Sequence, residues 1–391
     1  MGRPASLTGD DKATLRPHHS VGQSQGAKQK KEALKLTTST QPVEPANAMA
    51  GAIFVECSAQ GGAPAGELRT AAGRRKVMIG NQRVTTVDMH AHCAFPEINA
   101  MLGLEIEKEN NVSGADRLRD MDAQGIDIAA LSINAFWYAA DRELSAELIK
   151  KQNEKLAELC AAEPDRFVAF ATVALQHPDL AVEQIDYGVK KLGLRGVSIG
   201  TSVDGVELSD PKFHPIWAKI EDMGFPLFMH PFGGTPEIKH RLDGNGGLNN
   251  VIANPLETTI ALSKLIMEGT LDRHPRLKIC TCHGGGFLPF YPPRLDAMCR
   301  TFPERCQVVT LKKKPSEYLK DMYHDSIVFT PEALDYLIAN VGANRVYLGT
   351  DYPFKWAPAA VDLILDTPSL SDDDKRAILG GTAVRLLRIQ H

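Results

Sequence analysis

The sequence lacks the features that mark several large classes of protein. None of its apolar runs reaches about 18 residues, the least that a membrane-spanning helix needs. Its first 20 residues contain no long apolar stretch of the kind that forms the core of a signal peptide. The whole chain contains 44 Lys and Arg and 48 Asp and Glu, and no dense basic stripe occurs beyond its first third. We therefore expect a cytoplasmic protein that binds neither membranes nor nucleic acid.

Cysteine is also sparse, with seven residues in a chain of 391. Their number is odd, and they are scattered through segments that include several predicted core strands. A chain of this length can bury a large apolar core and does not depend on covalent cross-links. We therefore expect reduced thiols rather than a framework of disulfides.

The N-terminal segment differs in composition from the rest of the chain. Residues 1–50 are rich in Ser, Thr, Gln, Lys and Pro, and they hold too few apolar residues to offset the entropy cost of becoming ordered. We expect residues 1–80 to form a flexible or loosely attached extension, and residues 81–391 to form one domain. Two short apolar segments flank Gly80, Asn81 and Gln82, which predicts a hairpin that leads into the first core strand.

Beyond this hairpin, short apolar segments alternate with amphipathic helical ones. Eight such strands within about 300 residues predict an α/β protein, a (β/α)8 TIM barrel. A doubly wound open sheet is the alternative, but no Gly-rich dinucleotide loop follows the first strand. The predicted strands are Val84–Met89, Ile126–Ile133, Phe167–Val173, Gly196–Ile199, Pro226–Met229, Leu277–Cys282, Ile327–Phe329 and Arg345–Leu348.

Metal-binding residue types stand at the ends of four of these strands. His90 and His92 end the first strand, His230 the fifth, His283 the sixth and Asp351 the eighth. Histidine is neither a favoured strand residue nor cheap to bury, so an accidental set of core histidines explains this pattern poorly. Because active residues of such barrels lie at the C-terminal ends of the strands, we expect these five side chains to converge.

Imidazole nitrogens and a carboxylate are suitable ligands for Zn²⁺ or a similar divalent ion such as Mn²⁺. We assign His90, His92, His230 and Asp351 as ligands, which leaves His283 to carry protons. Barrels that bind a second ion commonly hold it through a carboxylated lysine at the end of strand four. Here that strand reads "RGVSIGTS", so a single ion is expected.

The motifs "DMHAH", "LFMHP", "NPLETTIALSKLI", "CHGGGFLPFYPPRLD" and "LGTDYPF" resemble the decarboxylase branch of the amidohydrolase superfamily, typified by 2-amino-3-carboxymuconate-6-semialdehyde decarboxylase. The resemblance runs from about Val84 to the C-terminus. It implies a mononuclear Zn²⁺ site with the ligands just given, His283 as catalytic acid and base, and a homodimer. It also matches Arg294, by spacing, to the arginine that reaches a neighbouring subunit's site and binds a substrate carboxylate.

Two features depart from that pattern. The type enzyme also uses an arginine from its own subunit, after strand one, whereas residues 93–116 here contain only Lys108 as a basic group. The usual "HPW" after strand five is "HPF", with Phe232 in the last position. We expect Phe232 and Trp137 to form part of the pocket wall, and the substrate to differ from that of the type enzyme.

The predicted reaction is the non-oxidative decarboxylation of an aromatic or unsaturated carboxylic acid, a small molecule. His283 would return a proton to carbon, and Asp351 would bind the ion and help to orient water. The same site could instead hydrolyse an amide, ester or lactone, because fold and ligands do not separate the two reactions. The missing lysine and Arg294 favour decarboxylation. A purely structural metal is the third alternative, but such sites are usually closed and cysteine-rich.

The remaining histidines and the cysteines of strand six receive structural predictions. Cys280 and Cys282 alternate with Thr281, so we expect both to point away from the side of His283 and to fill the core. The other histidines considered are expected to be surface or capping residues, and they are His177, His214, His240, His274 and His324.

Overall fold

The computed structural model describes residues 73–104, 114–233, 236–306, 309–354 and 359–390. Residues 1–72 of the predicted extension lie outside these ranges, and their flexibility stays a prediction. The prediction that residues up to 80 are flexible or loosely attached is wrong at its end, because Val77 and Ile79 are buried and belong to the apolar core. Among the described helices, none combines the length and the apolar character that crossing a bilayer requires.

The predicted hairpin before the first core strand is present. Its strands are Met78–Ile79 (β1) and Gln82–Arg83 (β2), which pair antiparallel. Gly80 in the two-residue turn has a φ of 57°, a conformation that favours glycine.

Parallel strands then form a barrel of eight positions, which confirms the predicted α/β TIM fold. The third position is split at Phe170, with its first half paired to β4 and its second half to β7. The barrel closes through a parallel bridge between Ala91 and Tyr352, and Met89 N donates to Leu348 O at 2.9 Å. The barrel strands are Val87–His92 (β3), Ile128–Ser132 (β4), Phe167–Ala169 (β5), Ala171–Thr172 (β6), Val197–Ile199 (β7), Pro226–Met229 (β10), Lys278–Thr281 (β11), Tyr323–Asp325 (β12) and Val346–Tyr347 (β13), and the short antiparallel pair Ser202–Val203 (β8) and Val206–Glu207 (β9) follows β7.

Helices separate the barrel strands, and side chains satisfy several of their first N–H groups. Asp141 accepts from Leu144 N at 2.9 Å, and Thr330 accepts from Ala333 N at 3.2 Å. The α-helices are Pro96–Met101 (α1), Gly114–Gln124 (α2), Arg142–Ala162 (α3), Pro178–Asp186 (α4), His214–Met223 (α5), Pro236–Leu242 (α6), Leu248–Val251 (α7), Ala253–Met267 (α8), Thr270–Arg273 (α9), Pro293–Thr301 (α10), Pro331–Val341 (α11), Ala360–Asp366 (α12), Asp372–Arg376 (α13) and Thr382–Leu387 (α14). Shorter 3-10 turns are Pro211–Phe213, His283–Gly285, Leu288–Phe290, Pro303–Cys306, Pro315–Asp321 and Ala343–Arg345, and π turns are Tyr187–Lys191 and Ala377–Gly381.

The seventh barrel strand lies four residues before its predicted position. The prediction of Ile327–Phe329 is wrong, because the strand is Tyr323–Asp325 and Phe329 is exposed with a φ of 66°. The prediction of His324 as a surface or capping residue is also wrong, since its side chain is fully buried in this strand. Its ring lies between Thr281 Oγ1 at 2.9 Å and the carbonyl oxygen of Leu319 at 3.2 Å.

The burial of His324 predicts a pH dependence of stability. Burial lowers the pKa of His324 to about 4, against about 6.5 in an unfolded chain. Between these values the unfolded chain binds a proton that the folded protein does not, so stability is full above pH about 6.5 and falls as the pH drops toward about 4. The loss should reach about 3 kcal/mol. Urea unfolding of wild type and His324→Gln at both ends of this window measures it, and identical pH slopes for the two proteins would refute it.

Apolar side chains from several barrel strands form a second buried cluster. It contains Met89, Phe170, Phe228, Cys280 and Cys282, and the rings of Phe170 and Phe228 stack at 5.0 Å. Side chains from the C-terminal helix α14 also belong to this cluster. The expectation that Cys280 and Cys282 fill the core is therefore confirmed.

The prediction that all cysteines are reduced is wrong for one pair. Cys299 and Cys306 form a disulfide, with their Cα atoms 5.4 Å apart. The pair joins the last turn of α10 to the 3-10 turn Pro303–Cys306, two elements that the chain reversal after Thr301 brings together. Scatter along the whole sequence did not reveal this local pairing. The free cysteines of the described chain are Cys93, Cys160, Cys280 and Cys282.

Candidate active site

Strand β3 brings His90 and His92 to the same end of the barrel. The pairing of β3 with β4 shifts register between Asp88 and Ala91, and both histidines are buried. Their Nε2 atoms lie 3.1 Å apart, and each of these atoms is also 3.1 Å from Asp351 Oδ1. The carboxylate of Asp351 therefore lies directly against both rings.

His230 and His283 complete this group. The ring of His230 lies 5.0 Å from that of His90 and 4.4 Å from that of His92. His283 Nε2 is 3.5 Å from Asp351 Oδ2, and its ring is 5.4 Å from that of His230. The structure thus brings together all five residues that the sequence pattern selects. Four of them, His90, His230, His283 and Asp351, offer ligand atoms that all lie within 4.8 Å of one another.

Hydrogen bonds on the outer nitrogens of two rings orient these rings for metal binding. His90 Nδ1 lies 2.6 Å from Asp325 Oδ2, and His92 Nδ1 lies 2.9 Å from Ser132 Oγ. With Nδ1 engaged, each Nε2 faces the cluster, which is how metal-binding histidines are usually held. His283 Nδ1 is buried and has no hydrogen-bond partner within the described chain. This donor set fits a divalent ion.

The electrostatics of the cluster keep two of its rings, His92 and His230, neutral beside an ionised carboxylate. Burial lowers the pKa of His92 to about 4, and burial together with the neighbouring histidines lowers the pKa of His230 well below its usual value. Burial lowers the pKa of His90 as well, but Cys282 and the carboxylates of Asp351 and Asp325 outweigh burial and raise this pKa well above its usual value. Burial raises the pKa of Asp351, but the charge of His90 and hydrogen bonds from the histidines outweigh it, so the pKa falls well below the usual value. Unprotonated imidazole and carboxylate are the forms that bind metals.

Polar groups that the sequence did not indicate as site residues lie next to this cluster. Asp88 is fully buried and accepts hydrogen bonds from Thr350 Oγ1 at 2.6 Å and from His90 N at 3.1 Å. Arg117 is also fully buried, with one nitrogen 3.2 Å from Asp88 and its guanidinium 3.7 Å from the centre of the Tyr352 ring.

The predicted alternation of side chains along strand six does not continue to His283. The strand stops at Thr281, and His283 adopts a φ of 54° in the turn that follows. Cys282 therefore does not point away from the site, and its sulfur lies within 4.8 Å of ligand atoms of His90 and Asp325. The prediction that Cys282 faces the opposite side from His283 is wrong, because the turn breaks the alternation.

The predicted wall residues have different surroundings. Phe232 is 40% exposed, and the ring of Phe136 packs edge-on against it at 4.4 Å. Trp137 is only 1% exposed, and its Nε1 donates to Val173 O at 2.9 Å. The structure therefore places Trp137 in the core, and Phe136 is the aromatic residue after strand β4 that meets Phe232.

Arg294 lies on the surface in the first turn of α10. Its guanidinium carbon is 5.6 Å from the centre of the Tyr291 ring. Several large apolar side chains around this helix are also exposed, and they are Phe287, Tyr291, Met298 and Phe302.

The chain is similar to several known decarboxylases. The chain is 31% identical over 274 residues to 2-amino-3-carboxymuconate-6-semialdehyde decarboxylase of Dictyostelium discoideum, covering 69% of this chain and 75% of that protein. It is 33% identical over 287 residues to gamma-resorcylate decarboxylase of a Rhizobium species, covering 70% and 86%. The solved structure of 5-carboxyvanillate decarboxylase from Novosphingobium aromaticivorans, complexed with manganese and 4-hydroxy-3-methoxy-5-nitrobenzoic acid, has a TM-score of 0.70 at 26% identity, covering 78% of this chain and 96% of that one.

A family model described as amidohydrolase matches residues 87–389, from the first barrel strand to the C-terminal helix. This range contains the barrel and all five residues of the cluster. Since the match spans well over half of the sequence and the fold agrees with it, the chain belongs to the amidohydrolase family.

Proposed function

We propose that the protein is a metal-dependent, non-oxidative decarboxylase of an aromatic or unsaturated carboxylic acid. The observation that carries this proposal is the convergence of four histidines and Asp351 at the C-terminal ends of the barrel strands. The similarity to enzymes that are themselves named as decarboxylases favours this reaction over hydrolysis.

We propose that His90, His92, His230 and Asp351 hold a single divalent ion. Strand β7 ends at Ile199 and continues with Gly200 and Thr201, so no lysine stands at this strand end within the described chain. Zn²⁺ suits the donor set, and Mn²⁺ is the alternative because a similar decarboxylase binds manganese. When bound, the ion would act as a Lewis acid toward negative charge on a substrate oxygen.

His283 is the group that we assign to proton transfer. His283 gives a proton to the carbon that bears the carboxylate, and a new C–H bond forms at the expense of a π bond, with the phenol or enol oxygen of the substrate supplying electron density. The bond between this carbon and the carboxylate then breaks, CO2 leaves, and the electron pair of that bond restores the ring or double bond. Asp351, 3.5 Å from His283 Nε2, orients the ring for this transfer. We propose that the edge-on pair of Phe136 and Phe232 packs against the flat, apolar part of the substrate.

We propose that the working form is a homodimer in which Arg294 binds a substrate carboxylate in the partner's site. Arg294 lies on the surface of its own chain, and the exposed apolar side chains Phe287, Tyr291, Met298 and Phe302 lie in or near α10, the helix that carries it. Burying such a face against a second copy would remove apolar surface from water, and an arginine can bind a carboxylate through two parallel hydrogen bonds.

Subunit mixing tests this arrangement. Arg294→Ala should raise KM for the acid by about 10-fold or more, since a charge-assisted hydrogen bond is worth about 1.5 to 3 kcal/mol. Arg294→Ala mixed with His283→Asn should regain activity, because one site of each mixed dimer combines an intact His283 with an intact Arg294. Native mass spectrometry confirms subunit exchange. Mixed dimers with no gain in activity would contradict the shared site.

The reaction itself is tested by product analysis. A panel of hydroxybenzoic and unsaturated carboxylic acids should release CO2, and matched esters and lactones should remain intact. Hydrolysis of the esters or lactones without CO2 from any acid would establish the alternative, an amide, ester or lactone hydrolase.

We also propose a cytoplasmic location. The four free cysteines Cys93, Cys160, Cys280 and Cys282 support it, because thiols persist in a reducing compartment. The disulfide between Cys299 and Cys306 is the opposing observation.

A further inference from the structure

Strand β12 ends at a carboxylate that none of the sequence motifs selected. Asp325 is fully buried, and its two oxygens face four hydrogen-bond donors. Oδ2 lies 2.6 Å from His90 Nδ1 and accepts from His283 N at 2.8 Å. Oδ1 accepts from Gly284 N at 2.6 Å and from Ile327 N at 3.2 Å. One side chain therefore contacts a proposed metal ligand and the backbone of the proposed acid.

The backbone that Asp325 holds has an unusual conformation. His283 has a φ of 54°, and the three glycines after it have φ values of 63°, 84° and 69°. A residue with a β-carbon rarely adopts such φ values, so the backbone of His283 needs hydrogen-bond partners that hold it in this conformation. A β-carbon on Gly285 would lie 2.5 Å from His324 Nδ1, and one on Gly286 would lie 2.3 Å from the carbonyl oxygen of Pro255. The turn is thus packed closely against β12 and α8, and two of its N–H groups end on Asp325.

The contact with His90 has a separate consequence. An ionised carboxylate can only accept hydrogen bonds, so His90 must carry its proton on Nδ1. In the neutral ring, the form that binds a metal, the Nε2 atom of His90 is then left with a lone pair, and this atom lies 3.1 Å from both His92 Nε2 and Asp351 Oδ1. Outer contacts of this kind fix the tautomer of metal-binding histidines.

We propose that Asp325 is a positioning residue that sets both the tautomer of His90 and the turn that carries His283. The inference rests on the proposed function for the roles of these two histidines. A change at Asp325 should therefore weaken metal binding and slow proton transfer together, although Asp325 is neither one of the proposed ligands nor the proposed acid.

Asp325→Asn tests this coupling because the amide keeps the shape of the carboxylate but has only one acceptor oxygen. In one orientation its NH2 group faces His90 Nδ1 and His283 N, which drives His90 toward the Nε2–H tautomer. In the other orientation the NH2 group faces the N–H groups of Gly284 and Ile327, which disfavours the turn. We expect the Kd for Zn²⁺ or Mn²⁺ to rise by about 10- to 100-fold, and kcat at saturating metal to fall by about 10-fold or more.

Two readouts and one control keep the test specific. Titration of metal-free protein with Zn²⁺ or Mn²⁺ gives the Kd without any assay of activity. Nitrogen-15 NMR of the Zn²⁺-loaded wild type should show the His90 proton on Nδ1, a result that does not require the variant to fold. Asp362→Asn removes a carboxylate that pairs with Arg75 and is partly exposed, and it should leave both the Kd and the NMR spectrum unchanged.

The outcomes separate this inference from the proposed function. Wild-type protein that binds neither ion would refute the metal site itself. Wild-type protein that binds metal, together with an Asp325→Asn variant of unchanged Kd and unchanged kcat, would overturn the role of Asp325. A His90 proton on Nε2 in the Zn²⁺-loaded wild type would overturn it as well.

Discussion

Replacement of Asp351 by Asn lowers kcat/KM for decarboxylation by about 1,000-fold or more. The Asp351 carboxylate lies 3.1 Å from the Nε2 atoms of His90 and His92, and it is fully buried. Asn has nearly the same shape but no charge, so the variant tests charge rather than packing. A bound ion that stabilises developing charge is worth several kcal/mol, and each 1.36 kcal/mol corresponds to a factor of ten in rate.

Metal content and rate are measured together for this variant. We expect Asp351→Asn to retain little Zn²⁺ or Mn²⁺ after gel filtration, whereas wild type retains about one ion per chain. Asp179→Asn is the matched control, because this carboxylate is exposed on α4 and pairs with Arg142. A variant at position 351 that keeps both its ion and its rate would show that Asp351 is not a ligand.

The second large effect concerns His283. His283→Asn should lower kcat by at least about 100-fold, the usual contribution of a general acid, and should leave the metal bound. The physical reason is that the ring of His283 is partly accessible, with Nε2 directed at Asp351, whereas His90 and His92 are enclosed. Loss of its imidazole therefore removes a proton donor while the proposed ligands remain in place.

Metal analysis alongside the kinetics distinguishes the acid from a ligand. His177→Asn is the control, since this histidine lies at the start of α4 and contacts the carbonyl oxygen of Ala140. Loss of the ion from His283→Asn would show that His283 is a ligand, in agreement with its position within 4.8 Å of the other ligand atoms. The proton would then have to come from another group.

The sequence predicts the barrel and the five clustered residues because their signals are local. Most of the strands lie in short, largely apolar segments, and His230 directly follows one of them. In a parallel barrel all C-terminal strand ends lie on one face, so residues that are distant in sequence can be placed together without any knowledge of side-chain contacts.

The parts that sequence analysis missed depend on contacts between distant segments. Strand β12 contains His324 and Asp325, whose burial is offset by hydrogen bonds with Thr281 and His90 on other strands. Because these residues are polar, the strand was predicted at the more apolar residues that follow them. The position of His283 depends on a turn with positive φ, which strand alternation cannot reveal. The burial of Trp137 also depends on a distant segment, because its indole N–H donates a hydrogen bond to the carbonyl oxygen of Val173.

The dependence of decarboxylation on a bound metal ion is tested most directly by removing the ion with a chelator and adding it back. Purified protein is assayed for CO2 release from an accepted acid, treated with a strong chelator, and assayed again before and after addition of Zn²⁺ or Mn²⁺. We expect activity to disappear with the bound ion and to return with about one equivalent of metal per chain. Full activity in protein shown by elemental analysis to contain no metal would contradict this expectation.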